Sequence, residues 1–235
     1  MSLLHRFSLF LFSLFPQVQM VALCNSRAMG EAAENSDIDL FIVVRKNNLW
    51  TTRFIVTTIT SIFGVRRRNT HGLEKRSPEY IKRTKDKFCL SFFITENAMN
   101  LEGIRLQPND PYLDRWIYTL VPLINKNAAY EHFMEANGVE PVIASTTSRG
   151  RGNPSPLPGF PWVFSTSSKT LGMTGTIFGF LSIFESWIKN LWLSKTLKTY
   201  ESLGKPWGVV ISDTMLKFHD DDQRVVYRDR VNSKM

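Results

Sequence analysis

Two carboxylates one residue apart, Asp37 and Asp39, stand in a run that is otherwise apolar: Ile38, Leu40, Phe41, Ile42, Val43 and Val44. In an extended strand, residues i and i+2 project to the same face. Both acids therefore point one way, and Ile38, Leu40 and Ile42 point the other. Their Cα atoms are roughly 6.5–7 Å apart in that geometry, within reach of one hard cation. Two ionised carboxylates at such spacing repel and lose solvation unless a cation or solvent compensates them. Mg²⁺, held by one or two carboxylates plus substrate phosphates, suits the arrangement. Ahead of the acids, Asn25-Ser26 predicts a tight turn opening a short helix that ends near Gly30. Backbone N–H groups at a helix start, with the Ser26 hydroxyl, form a phosphate cradle. Asn and Ser are equally suited to simple N-capping, and the two roles are compatible.

Taken together, Ser26-x-Ala28-x-Gly30-x-Ala32 followed by Ser36-Asp37-Ile38-Asp39 resembles the signature of the polymerase-beta-type nucleotidyltransferase superfamily, in particular its small stand-alone members. The resemblance implies a mixed sheet that carries a nucleoside triphosphate, ATP being favoured, and two Mg²⁺ ions. It implies transfer of a nucleotidyl group to an acceptor, here unknown, with loss of pyrophosphate. Asp37 and Asp39 would be the catalytic, metal-holding residues. Asn25, Ser26, Arg27, Gly30 and Ser36 would bind the nucleotide. Two departures from the family pattern matter. Asn25 stands where a glycine is expected, although asparagine tolerates positive φ better than most residues. The later strand that should carry a third carboxylate, residues 87–95, contains no acid; Asp86 and Glu96 flank it as the available substitutes. The alternative reading is a catalytically impaired nucleotidyltransferase-fold module that binds nucleotide or a polyanionic partner.

The elements that must position these residues follow from pattern. Residues 18–24 and 37–44 read as strands, and residues 49–63 as a helix with apolar positions recurring every three or four residues, stopped by Gly64. Residues 88–95 read as the third main strand. Asp110-Pro111 marks a helix start, with the helix running through Trp116 and Leu120 and breaking at Pro122. Residues 128–136 form a further helix closed by Asn137-Gly138. The Pro-, Gly- and Ser-rich stretch after it is a boundary. The expected organisation is an α/β (α+β) nucleotidyltransferase-like domain over residues 1–145, a linker over 146–170, and a mainly helical C-terminal region over 171–235. There, a long helix from about residue 174 to 200 precedes a strand at 207–212. Residues 216–222, with His219 and three aspartates, read as part of a polar tail, the less common option being a late metal ligand or base.

Composition bounds the rest. A hydrophobic share of 43% suffices for a packed core, and a net charge of +8 favours polyanionic partners. Most of that charge lies between Arg66 and Lys87, which holds nine Lys/Arg against three Asp/Glu. This stretch is a candidate nucleic-acid surface working through phosphate contacts; with Tyr80 its only aromatic, it lacks the stacking residues of a single-strand platform. Cys24 and Cys89 both fall in apolar runs and read as buried free thiols, pointing to a cytoplasmic setting. The apolar N-terminal run lacks a small-x-small cleavage site and is too short to span a bilayer. It reads as a helix covering the sheet, and no stable membrane insertion is expected. A second apolar stretch, residues 177–193, carries Glu185 and Lys189 and reads as an amphipathic or buried helix.

Overall fold

Val18–Leu23 (β1), apart from Gln19, and Ile38–Val44 (β2), apart from Asp39, are apolar on both faces, which suits them to the middle of a sheet covered on both sides. That is where the computed structural model places them. It describes residues 1–68, 70, 72–74, 77–140, 164–166, 175–219 and 222–233. The other strands are β3 (Phe88–Thr95), β4 (Val121–Lys126), β5 (Phe164–Thr166), β6 (Val209–Ile211) and β7 (Met215–Phe218). The helices are α1 (Leu3–Leu14), α2 (Asn25–Ala28), α3 (Leu49–Ile62), α4 (Pro78–Thr84), α5 (Pro111–Tyr118), α6 (Ala129–Ala136), α7 (Gly175–Ser202) and α8 (Arg224–Asn232). The strands lie in the order β5-β4-β1-β2-β3-β7-β6. The β2/β3 and β4/β5 pairs are parallel and the rest antiparallel. The expected mixed α/β sheet flanked by helices, with a mainly helical C-terminal region, is therefore present.

Alternation along β2 splits the core into two layers. Ile38, Leu40, Ile42 and Val44 pack with Leu9 and Phe12 of α1, Leu49, Trp50 and Val56 of α3, and Ile188 of α7. Phe41 and Val43 face the opposite side, against Trp116 and Ile117 of α5 and Tyr130 and Phe133 of α6. On that second side Phe41 meets Phe92, Trp116 and Phe133 at ring centroid distances of 4.9, 5.1 and 5.0 Å. Asp39 shares the Phe41 face by the same alternation. The acids thus project from the edge of the α5/α6 layer, and the α1/α3/α7 layer packs against the opposite face of the sheet.

Two expectations need correction. The helix from Asp110 stops at Tyr118, and Val121–Lys126 is a strand paired with β1. Pro122 cannot continue a helix; it sits where the β1/β4 register shifts between Val21 and Ala22, a place where a sheet tolerates proline. The second correction concerns the C-terminus. The segment read as a polar tail forms β7, antiparallel to β3, and then α8. Its Lys217, Asp222 and Arg224 are buried in a closed network. Lys217 Nζ lies 2.7 Å from Asp222 Oδ2, Arg224 Nε 3.0 Å from Asp222 Oδ1, and Arg224 Nη1 2.8 Å from Asp110 Oδ2. Asp110 also caps α5 by accepting from Leu113 N at 2.9 Å. Two cations and two anions balance, which is how such groups tolerate burial. Of the expected linker, only Phe164–Thr166 lies among the described residues, where it extends the sheet edge beside β4.

One buried carboxylate of α7 caps α3. Glu185, nearly buried, accepts from Trp50 N at 2.8 Å and from Thr51 N at 2.7 Å. These are unpaired first-turn amides of α3, whose N-cap residue Asn48 makes no side-chain cap. A carboxylate there also meets the positive end of the helix dipole. The Glu185 that makes residues 177–193 unsuited to lipid is thus an N-cap supplied from another helix, and no helix among the described residues is long and apolar enough to cross a membrane. Glu185→Ala should destabilise the fold by about 2–4 kcal/mol, because two buried amides lose a charged acceptor. Urea denaturation measures this, and a change below about 0.5 kcal/mol would rule the cap out as a fastening of α7.

Candidate metal and nucleotide site

The site forms where β1 ends and β2 and β3 begin. Cys24 N donates to Asp39 O at 3.1 Å, so the chain leaves β1 beside the acids. Asn25 then turns it with φ of +56°, the left-handed region the expected glycine would occupy. Asparagine adopts that region at modest cost, and here its side chain favours the ionised form of Asp39. The helix it opens, α2, is a single turn closing at Gly30 with φ of +73°. Tyr112 of α5 donates from its hydroxyl to Asn25 Oδ1 at 3.5 Å.

β3 supplies the group that sequence reasoning missed. Parallel pairing sets Asp39 directly beside Cys89. Neighbouring strands are about 4.8 Å apart, so the two side chains lie alongside one another. A carboxylate oxygen of Asp37, one of Asp39 and Cys89 Sγ all lie within 4.8 Å of each other. Among the described residues this is the one group of three or more metal-capable side chains so arranged. The strand expected to carry a third carboxylate brings a thiol beside the two acids. Neither flanking acid reaches it. Asp86 sits in a left-handed turn and pairs with Arg27 Nη2 at 2.6 Å. Glu96 follows the far end of β3, seven residues and roughly 23 Å from Cys89, where its carboxylate accepts from Lys46 N at 3.3 Å.

Two arginines hold the site, and they do different things. Arg27 donates to the carbonyls of Ser36 and Asp37, both at 2.7 Å, as well as to Asp86. It braces the loop that presents Asp37 and is engaged on backbone in this structure. Arg67 is the direct counter-ion: its Nη1 is 2.6 Å from Asp37 Oδ2 and 3.7 Å from Cys89 Sγ. Its segment is pinned alongside β3 by Arg67 N donating to Phe88 O at 2.9 Å and Phe88 N to Val65 O at 2.7 Å. Arg66 and Arg68 flank it around a recess of about 280 Å³. Ser26 and Ser36 lie partly exposed on the turn and loop around Asp37. Arg67 was legible only as one member of a basic run, and Cys89 only as an apolar strand position. The signal that could have found Cys89 is the parallel register of β2 and β3.

A second opening of about 250 Å³ begins at Asn25 and runs between α5 and the β7–α8 turn. Phe92, Tyr112, Trp116 and His219 are among its walls. A register shift in β3 between Cys89 and Phe92 is a bulge. Within it, Ser91 Oγ meets His219 Nε2 at 3.1 Å. Burial, then the nearby charge of Lys217, lowers His219 to about 4, so its imidazole is neutral at physiological pH. A larger recess of about 910 Å³, by Lys46 and Glu96, lies at the opposite end of β2 and β3 and touches none of the site residues.

The donor set fits one Mg²⁺, since two carboxylates with phosphate oxygens complete its usual shell. It does not supply the third carboxylate expected for a second ion. Compared with family models, with curated proteins and with solved structures, the chain matches none.

Burial, and next the charge of Asp37, pushes Asp39 up to about 6, against the opposing influence of Asn25, Cys89 and the charge of Arg67. An unfolded carboxylate titrates near 4, so the folded state holds this proton longer. As pH rises from about 4 through about 6 the unfolded chain releases the proton first, and that contribution to folding is lost. In EDTA, urea denaturation should show wild type losing stability relative to Asp39→Asn across this window. Parallel stability curves for the two proteins would remove Asp39 as the cause.

Proposed function

We propose that the protein binds a nucleoside triphosphate as its Mg²⁺ complex and transfers the nucleotidyl group to an acceptor. The observation that carries this reading is the convergence of Asp37 and Asp39 at the mouth of the Asn25–Gly30 turn, with carboxylate oxygens within 4.8 Å of each other. Bound there, Mg²⁺ would neutralise phosphate charge and favour departure of pyrophosphate. Asp37 and Asp39 would hold the cation. Arg67, already beside Asp37, would be placed to share itself between that carboxylate and a phosphate oxygen. Asn25 orients Asp39 and bends the backbone so that the amides of Ser26 and Arg27 are available to the triphosphate. The aromatic opening beside Asn25 would take the acceptor or the base. In the transfer an acceptor oxygen bonds to the α-phosphorus, the α–β anhydride breaks and pyrophosphate leaves; with no carboxylate at Cys89, the acceptor proton passes to water.

A second reading has a specific observation in its favour. A thiol in place of the third acid removes the group best suited to deprotonate an acceptor, which suits a module that binds nucleotide or a polyanion without turnover. The recess between Arg66 and Arg68 offers such a module phosphate contacts, and the basic stretch from Arg66 to Lys87 would then engage nucleic acid.

Isothermal titration with Mg²⁺–ATP tests the site. Asp37→Asn and Asp39→Asn should each weaken binding by about tenfold or more, and equal binding by wild type and variants would sink the assignment. Incubation with labelled ATP and total RNA or protein separates the two readings, since only transfer releases pyrophosphate and labels an acceptor.

A further inference from the structure

Cys89 is out of keeping with a thiol used for packing. Buried cysteines ordinarily behave as small hydrophobes among apolar neighbours. Cys89 is 9% exposed, yet its Sγ lies within 4.8 Å of two carboxylate oxygens and 3.7 Å from a guanidinium nitrogen. Two of the three potential ligands come from adjacent positions on paired strands, and the third, Asp37, is the residue that leads into β2. Asp39 and Cys89 are direct neighbours across the parallel ladder, and Asp37 precedes Asp39 on the same face. Sites on strands are held more rigidly than sites on loops. A cationic group already stands beside two of them: Arg67 Nη1 is close to both Asp37 Oδ2 and Cys89 Sγ.

Sulfur decides which cation this set prefers. Mg²⁺ takes oxygen ligands in a near-octahedral shell and gains little from a thiolate. Zn²⁺ and its neighbours accept cysteine sulfur and aspartate oxygen together, with four-coordinate geometry satisfied by three protein ligands and a water. We infer that Asp37, Asp39 and Cys89 form a thiophilic divalent-cation site, which binds Zn²⁺ in preference to Mg²⁺ whenever no nucleotide brings phosphate oxygens. Arg67 leaves Asp37 as the cation enters. The inference rests on the reading of Asp37 and Asp39 as metal ligands but does not require that the protein turn over a nucleotide.

Co²⁺ replaces Zn²⁺ as a coloured probe, because a cobalt–thiolate bond gives a near-ultraviolet charge-transfer band that oxygen ligands do not. Titrating the metal-free full-length protein with Co²⁺ should produce that band, and excess Mg²⁺ should leave it in place. Cys89→Ser should abolish the band, Cys24→Ser should retain it, and Asp37→Asn should weaken Co²⁺ binding by about tenfold or more. X-ray absorption at the zinc edge on wild-type and Cys24→Ser protein provides a readout independent of whether Cys89→Ser folds. It should show one sulfur at about 2.3 Å. Absence of the band in wild type, its survival in Cys89→Ser, or a zinc shell of oxygen and nitrogen only would overturn the inference. Mg²⁺–ATP titration of the same samples keeps the two ideas apart. Nucleotide binding without a cobalt–thiolate band leaves the functional reading standing and removes the thiophilic site. A band without nucleotide binding does the reverse.

Discussion

The parallel pairing of β2 with β3 is the constraint on which the site depends. It is specified by burial on both faces, because a slip of one residue would turn every side chain of β2 to the wrong layer. Asp39 would then enter the apolar floor formed by Leu9, Phe12, Trp50 and Val56, and Leu40 would take its place at the opening. Burying a lone carboxylate in that layer costs far more than any local contact could return. The same apolar alternation that builds the core therefore fixes which residue of β3 stands beside Asp39. Antiparallel β1 and β7 on either side of this pair leave neither strand an edge from which to shift.

Charge compensation then determines what the loops around the pair must supply. Asp37 and Asp39 cannot sit together on a strand end without a cation, and the chain provides its own in Arg67. Arg27 performs a mechanical task, gripping the Ser36 and Asp37 carbonyls and the Asp86 carboxylate at once. Asp86 is engaged by Arg27 and stands apart from the group formed by Asp37, Asp39 and Cys89. His5 Nε2 meets the Asp86 carbonyl at 2.6 Å, so α1 reaches the same turn from the opposite layer. The turn before β3 is thus fixed from two directions, which keeps Cys89 in position.

Elements whose pattern is local were legible in the sequence. β1, β2 and β3 declared themselves by apolar alternation or continuous apolar runs, α3 by its period and Gly64, and α6 by Asn137-Gly138. What escaped was set by partners far away in the chain. β4 hid behind Pro122, tolerable only at an irregularity in its pairing with β1. β7 and α8 carry charges that read as solvated, because Lys217 and Arg224 are acceptable inside only through Asp110 and Asp222. The site divides in the same way. Asp37, Asp39 and the Asn25 turn are contiguous and visible. Arg67 and Cys89 join them only once the β2/β3 register is known.

A thiol beside two carboxylates has an electrostatic logic of its own. One neighbour, Asp37, together with burial already lifts Asp39 to about 6. A third carboxylate at Cys89 would add a further negative charge within the same few ångströms and push the group harder towards protonation in the absence of metal. Burial and the charges of Asp39 and Asp37 push the Cys89 thiol up, so it stays neutral and leaves Arg67 to balance the two acids. A thiol at this position eases the metal-free fold and offers no base. Under the proposed function, nucleotide binding and turnover would be separable at this site, and the side chain separating them would be Cys89.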